Sequence, residues 1–199
     1  MRTALILVLL AASCSIPASD PQDRVGHVAV HLLAPLDSEF STTKDLTGRE
    51  STPEELDSAD WGYGVALEWG HDLDREAVHS YLFAVRSYEM EAKDEEGARN
   101  QGRALEFSFG MRNYPDLGFE DPWLQPFVGG EFVAMPLVDI GGADLWGLGA
   151  GVTLGADLWM SDYVGFETAL RYVVVGIDLL RDAQMHRGWE FELGLVTWF

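Results

Sequence analysis

The sequence predicts an all-β fold in which eight antiparallel strands, connected up-and-down, close into one barrel. Three observations carry this. Apolar and polar residues alternate with period two in eight segments, and no segment after the leader holds a helical period long enough to build a core. The third is composition: 21 glycines and 7 tryptophans in 199 residues suit sheet packing better than a helical bundle.

The first element is a leader. "MRTALILVLLAASCSIPASD" sets Arg2 before nine apolar residues, Ala4 to Ala12, and small residues follow, which is the layout of an export signal and too short for a membrane-spanning helix. Two cleavage readings stay open. Cutting after Ala18 gives a signal peptide over 1–18, with a short segment 19–24 ahead of the barrel at 25–199. Alternatively, "LAASC" resembles a bacterial lipobox, which would make Cys14 a lipidated first residue. Cys14 is the only cysteine, so no intramolecular disulfide or cysteine-based metal cluster can form.

The strands follow in order. Segment 25–33 places Val28, Val30 and Leu32 opposite His27, Ala29 and His31. Segment 61–70, "WGYGVALEWG", places Tyr63, Val65, Leu67 and Trp69 opposite Gly64, Ala66, Glu68 and Gly70. Tyr81, Phe83 and Val85 of 79–88 oppose Ser80, Leu82, Ala84 and Arg86. In 104–112, Leu105, Phe107, Phe109 and Met111 oppose Glu106, Ser108, Gly110 and Arg112. Segment 124–135 is ambiguous in face, with Glu131 marking the polar side. Leu148, Val152, Leu154 and Leu158 of 147–159 oppose Gly149, Gly151, Thr153, Gly155 and Asp157. Segment 163–175 sets Val164, Phe166, Leu170 and Tyr172 against Gly165, Glu167 and Arg171, and the last strand sets Trp189, Phe191, Leu193, Leu195 and Phe199 against Glu190, Glu192 and Gly194.

Most of these segments have about 9–13 residues, enough to cross a bilayer at a tilt. A soluble, lipocalin-like barrel around an apolar ligand gives the same alternation, so periodicity alone leaves both readings open. Two signals favour the membrane. Trp61, Trp69, Tyr88, Trp159, Tyr163, Tyr172 and Trp189 lie near segment ends, as interfacial aromatic girdles do. Connections 34–60 and 89–102 are long and acidic, whereas 71–77 and 160–162 are short, matching the unequal loops of transmembrane barrels, although 113–123 is long and 139–146 short for that rule.

The C-terminal segment adds a resemblance. "FELGLVTWF" is similar to the last strand of bacterial outer-membrane β-barrels, in which alternate apolar residues run up to a terminal aromatic; Thr197 stands where that family more often has an aromatic. "LQPFVGGEF" and "GAGVTLGADLWMSDYVGFETALRY" resemble the second half of small eight-stranded barrels of the OmpX, OmpW and opacity-protein type. The likeness is tightest over 124–199 and rests on strand count and alternation before that. It implies a transmembrane barrel in outer-membrane lipid, with Phe191, Leu193, Leu195 and Phe199 read by the barrel assembly machinery.

Eight strands leave room for side chains but not for a wide channel. The polar face would carry Glu68, Arg86, Glu106, Arg112, Glu131, Glu167, Arg171, Glu190 and Glu192 into the lumen, where such charges need partners. A polar plug that fixes the strands is the favoured reading; a proton or ion path is the alternative.

No catalytic, cofactor-binding or metal-ligating set emerges. Some small outer-membrane barrels hydrolyse lipid A with a His-x-Ser pair, but His79 and Ser80 are adjacent and point to opposite faces. His27 and His31 share a face roughly 13 Å apart, too far to ligate one metal unaided, and read as interior polar residues. "HDLDRE" (71–76) lacks calcium-loop spacing and reads as a solvated turn. Thirteen basic against 33 acidic residues give a net charge of -20, which excludes a nucleic-acid partner.

What remains for function is the loops. Segment 34–60 carries Asp37, Glu39, Asp45, Glu50, Glu54, Glu55, Asp57 and Asp60, and "TPEE" (52–55) has the pattern of a capped helix start; 89–102 adds further acids. The sequence therefore predicts a monomeric, non-enzymatic outer-membrane barrel of structural or surface-interaction type, whose loop partner it does not identify. The alternatives are a soluble or lipid-anchored lipocalin-like carrier and a lipid hydrolase with an unrecognised site.

Overall fold

The computed structural model describes residues 25–42, 58–72, 79–93, 99–115, 124–140, 143–161, 163–177 and 184–199. The leader, segment 19–24, Cys14, the "TPEE" segment and most of the loop acids lie outside the described residues. Eight strands, β1 (Gly26–Thr42), β2 (Ser58–Asp72), β3 (His79–Lys93), β4 (Arg99–Asn113), β5 (Leu124–Ile140), β6 (Ala143–Trp159), β7 (Val164–Ile177) and β8 (Gln184–Trp198), form one closed barrel in sequence order. Every pair is antiparallel, and β1 closes on β8 from His27↔Trp198 to Thr42↔Gln184. Closure leaves no unpaired sheet edge. At the terminal rim, the Phe199 carbonyl accepts from the amides of Val25 (2.9 Å) and Gly26 (3.2 Å), and the Phe199 amide donates to Gly26 O (3.0 Å).

The two faces of the wall have the polarity that a lipid-facing barrel needs. Leu32, Val65, Leu67, Trp69, Phe83, Phe109, Phe132, Val152, Leu154, Phe166, Leu193 and Leu195 all stand exposed on the outside, Phe132 to 78%. His27, His31, Glu68, Arg86, Glu106, Arg112, Asp157, Glu167, Arg171, Glu190 and Glu192 are buried on the inside. A soluble carrier has the opposite arrangement, because exposing this much contiguous apolar surface to water is unfavourable.

The strands have 14–17 residues, longer than the sequence predicts, and they extend through much of what reads as loop. The cause is an inversion of polarity along the strand. In β3 the outward residues change from Tyr81 and Phe83 to Glu89 and Glu91, while the inward ones change from Arg86 to Tyr88 and Met90. The backbone ladder continues through this switch, from Arg86↔Glu106 to Lys93↔Arg99. Beyond the apolar belt the barrel is therefore built like a soluble one, apolar inside and polar outside, with a core of Leu33, Met90, Met135, Val138, Val173, Val175 and Ile177. Acids Asp37, Glu39 and Asp60 belong to strands by backbone, and "HDLDRE" starts inside β2, which runs to Asp72.

The same inward phase corrects the aromatic girdle. Tyr88 is buried in the lumen, and Trp159 stacks inside the terminal mouth on Trp198, with ring centroids 4.0 Å apart. Trp69, Tyr172 and Trp189 do lie on the outer face, the last two in contact at 4.8 Å between centroids. Register shifts at Pro35/Asp37, Trp61/Gly64, Leu105/Phe107 and Met135/Val138 mark β-bulges. Pro35 and Pro136 sit at two of them, where a residue without an amide proton leaves no ladder bond broken.

Candidate functional site: the lumen

The lumen is stacked in layers. Trp198, Val196, Ala29 and Trp159 pack together at the terminal rim, and Tyr114, Phe127 and Ala169 form a second small apolar group. The apolar core described above occupies the far end. Between them lie two clusters of charge.

The cluster nearer the terminal rim is organised by Arg112 of β4. Its Nη1 and Nη2 donate to the two oxygens of Glu167 at 2.8 and 2.7 Å, and Nη2 also donates to Glu68 Oε2 at 2.9 Å. This fork makes two charge-assisted bonds to one carboxylate, a geometry that lysine cannot provide. Its guanidinium lies 4.1 Å over the Phe127 ring, so one face of the cation is covered. His27 Nε2 sits 3.1 Å from the other oxygen of Glu68. Asp157 is buried opposite Glu167 on the neighbouring strand.

The farther cluster is held by Arg86 of β3 and Arg171 of β7. Arg86 donates from Nη1 to Ser108 Oγ (2.6 Å), Glu106 Oε1 (3.1 Å) and Glu131 Oε2 (3.2 Å), and from Nε to Glu192 Oε1 (3.1 Å). Arg171 donates to Glu106 Oε1 at 2.6 Å, to the Tyr88 hydroxyl oxygen at 3.1 Å, and also to Glu131 and Glu190. The Tyr88 hydroxyl lies 3.3 Å from Glu190 and 3.4 Å from Glu106. Strand pairing supplies part of this arrangement, since Arg86 faces Glu106 across β3/β4 and Arg171 faces Glu190 across β7/β8. Longer-range pairs such as Arg86–Glu192 cross the lumen.

Glycines create the space. A Cβ on Gly70 would meet the ring of His27, one on Gly194 would meet the ring of His31, and one on Gly151 would lie 2.8 Å from Glu131 Oε1. Each thus makes room on the inner wall for a polar side chain from another strand.

All nine charged residues that the sequence assigns to the lumen are on the inner face, and every one has an ion-pair partner. His27 and His31 are interior, as the sequence suggests, but sequence reasoning did not enrol Tyr88, Ser108 and Asp157 among the lumen charges. Tyr88 reads as girdle by its position near a segment end, and Asp157 carries a face assignment but no partner that spacing could reveal. Of the residues read as an assembly signal, Phe191, Leu193 and Leu195 face outward, while Phe199 is half-buried on the closing seam. His79 is exposed and lies 2.5 Å (Nδ1) from Asn113 Oδ1, whereas Ser80 is buried and donates to Asp72 at 2.6 Å. These two residues form no nucleophile–base pair.

This is the fold of the small outer-membrane β-barrels. Among solved structures, the chain is similar to the outer membrane protein OprG from Pseudomonas aeruginosa, with a TM-score of 0.55 and 14% identity over 90% of this chain and 99% of that one. It is also similar to Neisserial surface protein A (NspA), with a TM-score of 0.58 and 16% identity over 87% of this chain and 97% of that one. No protein-family model matches the chain, and no curated protein sequence does. At these identities, what is shared is the barrel.

Proposed function

We propose that the protein resides in a bacterial outer membrane as a monomeric, plugged β-barrel of structural or surface-interaction type, without enzymatic activity. The observation that carries this reading is the polarity of the wall, with lipid-compatible side chains outside and a charged, hydrogen-bonded interior. The terminal rim faces the periplasm, and the long acidic connections face outward, where they are available to cations or to a basic partner. The export leader and the alternating C-terminal strand support delivery by the assembly machinery, with Phe191, Leu193, Leu195 and Phe199 as its signal. Plugging is supported by three layers in series: the paired tryptophans, the ionic clusters and the apolar core. The acids of the ionic layers are held by arginine forks that would have to break before a column of water could form.

Membrane fractionation with gel mobility before and after boiling tests the assignment. The expected result is detergent-extracted outer-membrane material whose mobility shifts on boiling. Recovery as a soluble periplasmic species without that shift would return the protein to the carrier class.

A further inference from the structure

The cluster near the terminal rim is short of positive charge. Glu68, Asp157 and Glu167 face one permanent cation, Arg112, and the only other basic groups beside them among the described residues are the imidazoles of His27 and His31. Asp157 and Glu167 are also direct cross-strand neighbours, an arrangement that is unfavourable for like charges.

Unpartnered polar atoms gather in this cluster and at its border with the farther one, where His31 meets Glu192. Among the described residues, buried atoms without a hydrogen-bond partner include both ring nitrogens of His31, Nδ1 of His27, Nε of Arg112, Oδ1 of Asp157 and Oε2 of Glu192. His31 is wholly buried, and its Nε2 and Nδ1 lie 3.7 Å from Glu167 Oε2 and Glu192 Oε2, beyond hydrogen-bond reach. Buried polar atoms in such number call for a bound group.

We propose that His31, Glu68 and Glu167 bind a divalent transition-metal ion, Zn2+ being the best fit, as a structural cross-link inside the barrel. One ligand atom from each lies within 4.8 Å of the others. Tetrahedral Zn2+ sets nitrogen and oxygen ligands about 3.4 Å apart, so closure needs at most roughly 1.4 Å of side-chain movement. An imidazole among carboxylates selects Zn2+ over the all-oxygen preference of Ca2+ and Mg2+. The ion brings two positive charges to a cluster with one permanent cation. Asp157, paired across strands with Glu167 and carrying an unpartnered oxygen, adds negative charge beside these ligands. Arg112 holds both carboxylates from its own side, the usual outer support of ligating groups. The ligands come from β1, β2 and β7, so the ion ties β1 to β7 across β8 and locks the seam where the barrel closes. Sequence spacing does not reveal this site, since no two of its ligands are on one strand.

The inference rests on the closed-lumen reading, but conductance tests that reading without metal, so the two can fail separately. The full barrel, extracted in detergent from cells grown with added Zn2+, is desalted and analysed for metal, with Ca2+ as the comparison ion. One retained Zn2+ per chain and no retained Ca2+ are expected. His31→Gln should lose the ion, whereas the double variant His71→Gln/His79→Gln, which alters exposed histidines at the same rim, should keep it. No Zn2+ in the folded wild type would overturn the proposal and leave ordered water as the partner of these atoms. Zn2+ undiminished by His31→Gln, or lost only from the double variant, would overturn it too. If His31→Gln does not fold, Co2+-loaded wild type decides: intense visible bands of a low-coordinate imidazole–carboxylate site are expected, and the weak bands of octahedral Co2+ contradict it.

Discussion

Arg171→Leu removes the most connected cation of the lumen. Arg171 is wholly buried and donates to Glu106, Glu131, Glu190 and the Tyr88 hydroxyl. Without it, Glu106 and Glu131 keep the Arg86 guanidinium at 3.1 and 3.2 Å, whereas Glu190 is left with the neutral Tyr88 hydroxyl at 3.3 Å among the described partners. A buried carboxylate that loses its ion-pair partner costs about 3–5 kcal/mol, and leucine removes the charge while filling most of the volume. That loss lowers the folding equilibrium by a factor of about 150 to 4,000, at tenfold per 1.4 kcal/mol. The control is Arg103→Leu: Arg103 is exposed, and a solvated charge contributes about 0–1 kcal/mol. Both variants, refolded into lipid vesicles, are unfolded in urea and followed by tryptophan fluorescence. Arg171→Leu should fall in midpoint by several times the change in Arg103→Leu, with a similar slope. Equal effects would mean that the charge network contributes no more than a surface pair, and the layered interior would need another explanation.

Other positions test other parts of the structure. Leu67 faces outward between inward Ala66 and Glu68, so Leu67→Arg should destabilise the vesicle-embedded barrel by about 2–4 kcal/mol, measured by the same urea titration against Leu67→Ala. A Cβ on Gly194 runs into the His31 ring, so Gly194→Val should cost about 1–3 kcal/mol through overpacking, and the double change with His31→Ala should recover part of that; the unfolding midpoints of the three variants measure this. Deleting Phe199 removes three backbone hydrogen bonds at the seam and the terminal aromatic of the proposed assembly signal. Folded barrel in cell membranes should drop more than refolding yield in detergent does, which heat-shifted gel bands quantify.

The strand count and the inward phase of β1–β4 and β6–β8 were legible because large apolar residues face lipid while glycine and charge face the lumen. The limits of each strand were not. Beyond Ser87 in β3 the outward side is Glu89 and Glu91 and the inward side Tyr88 and Met90, so the rule that identifies a lipid-facing strand fails where the strand emerges into water. The same inversion hid the apolar core at the far end, because Val173, Val175 and Ile177 lie past the last charge of β7 and read as a hydrophobic run without a face. Partners within the lumen were the least legible. Arg86 and Glu192 are 106 residues apart, and only barrel closure brings them together.

Planar-bilayer recording of the purified, folded monomer tests the central claim most directly, because a lumen filled by side chains cannot carry a steady ionic current. The layered interior predicts no sustained conductance, with at most brief, small events at high voltage, and no change on trimming the outer loops by protease. A stable, porin-sized current from heat-modifiable monomer would contradict it and require an open path through the arginine–glutamate layers.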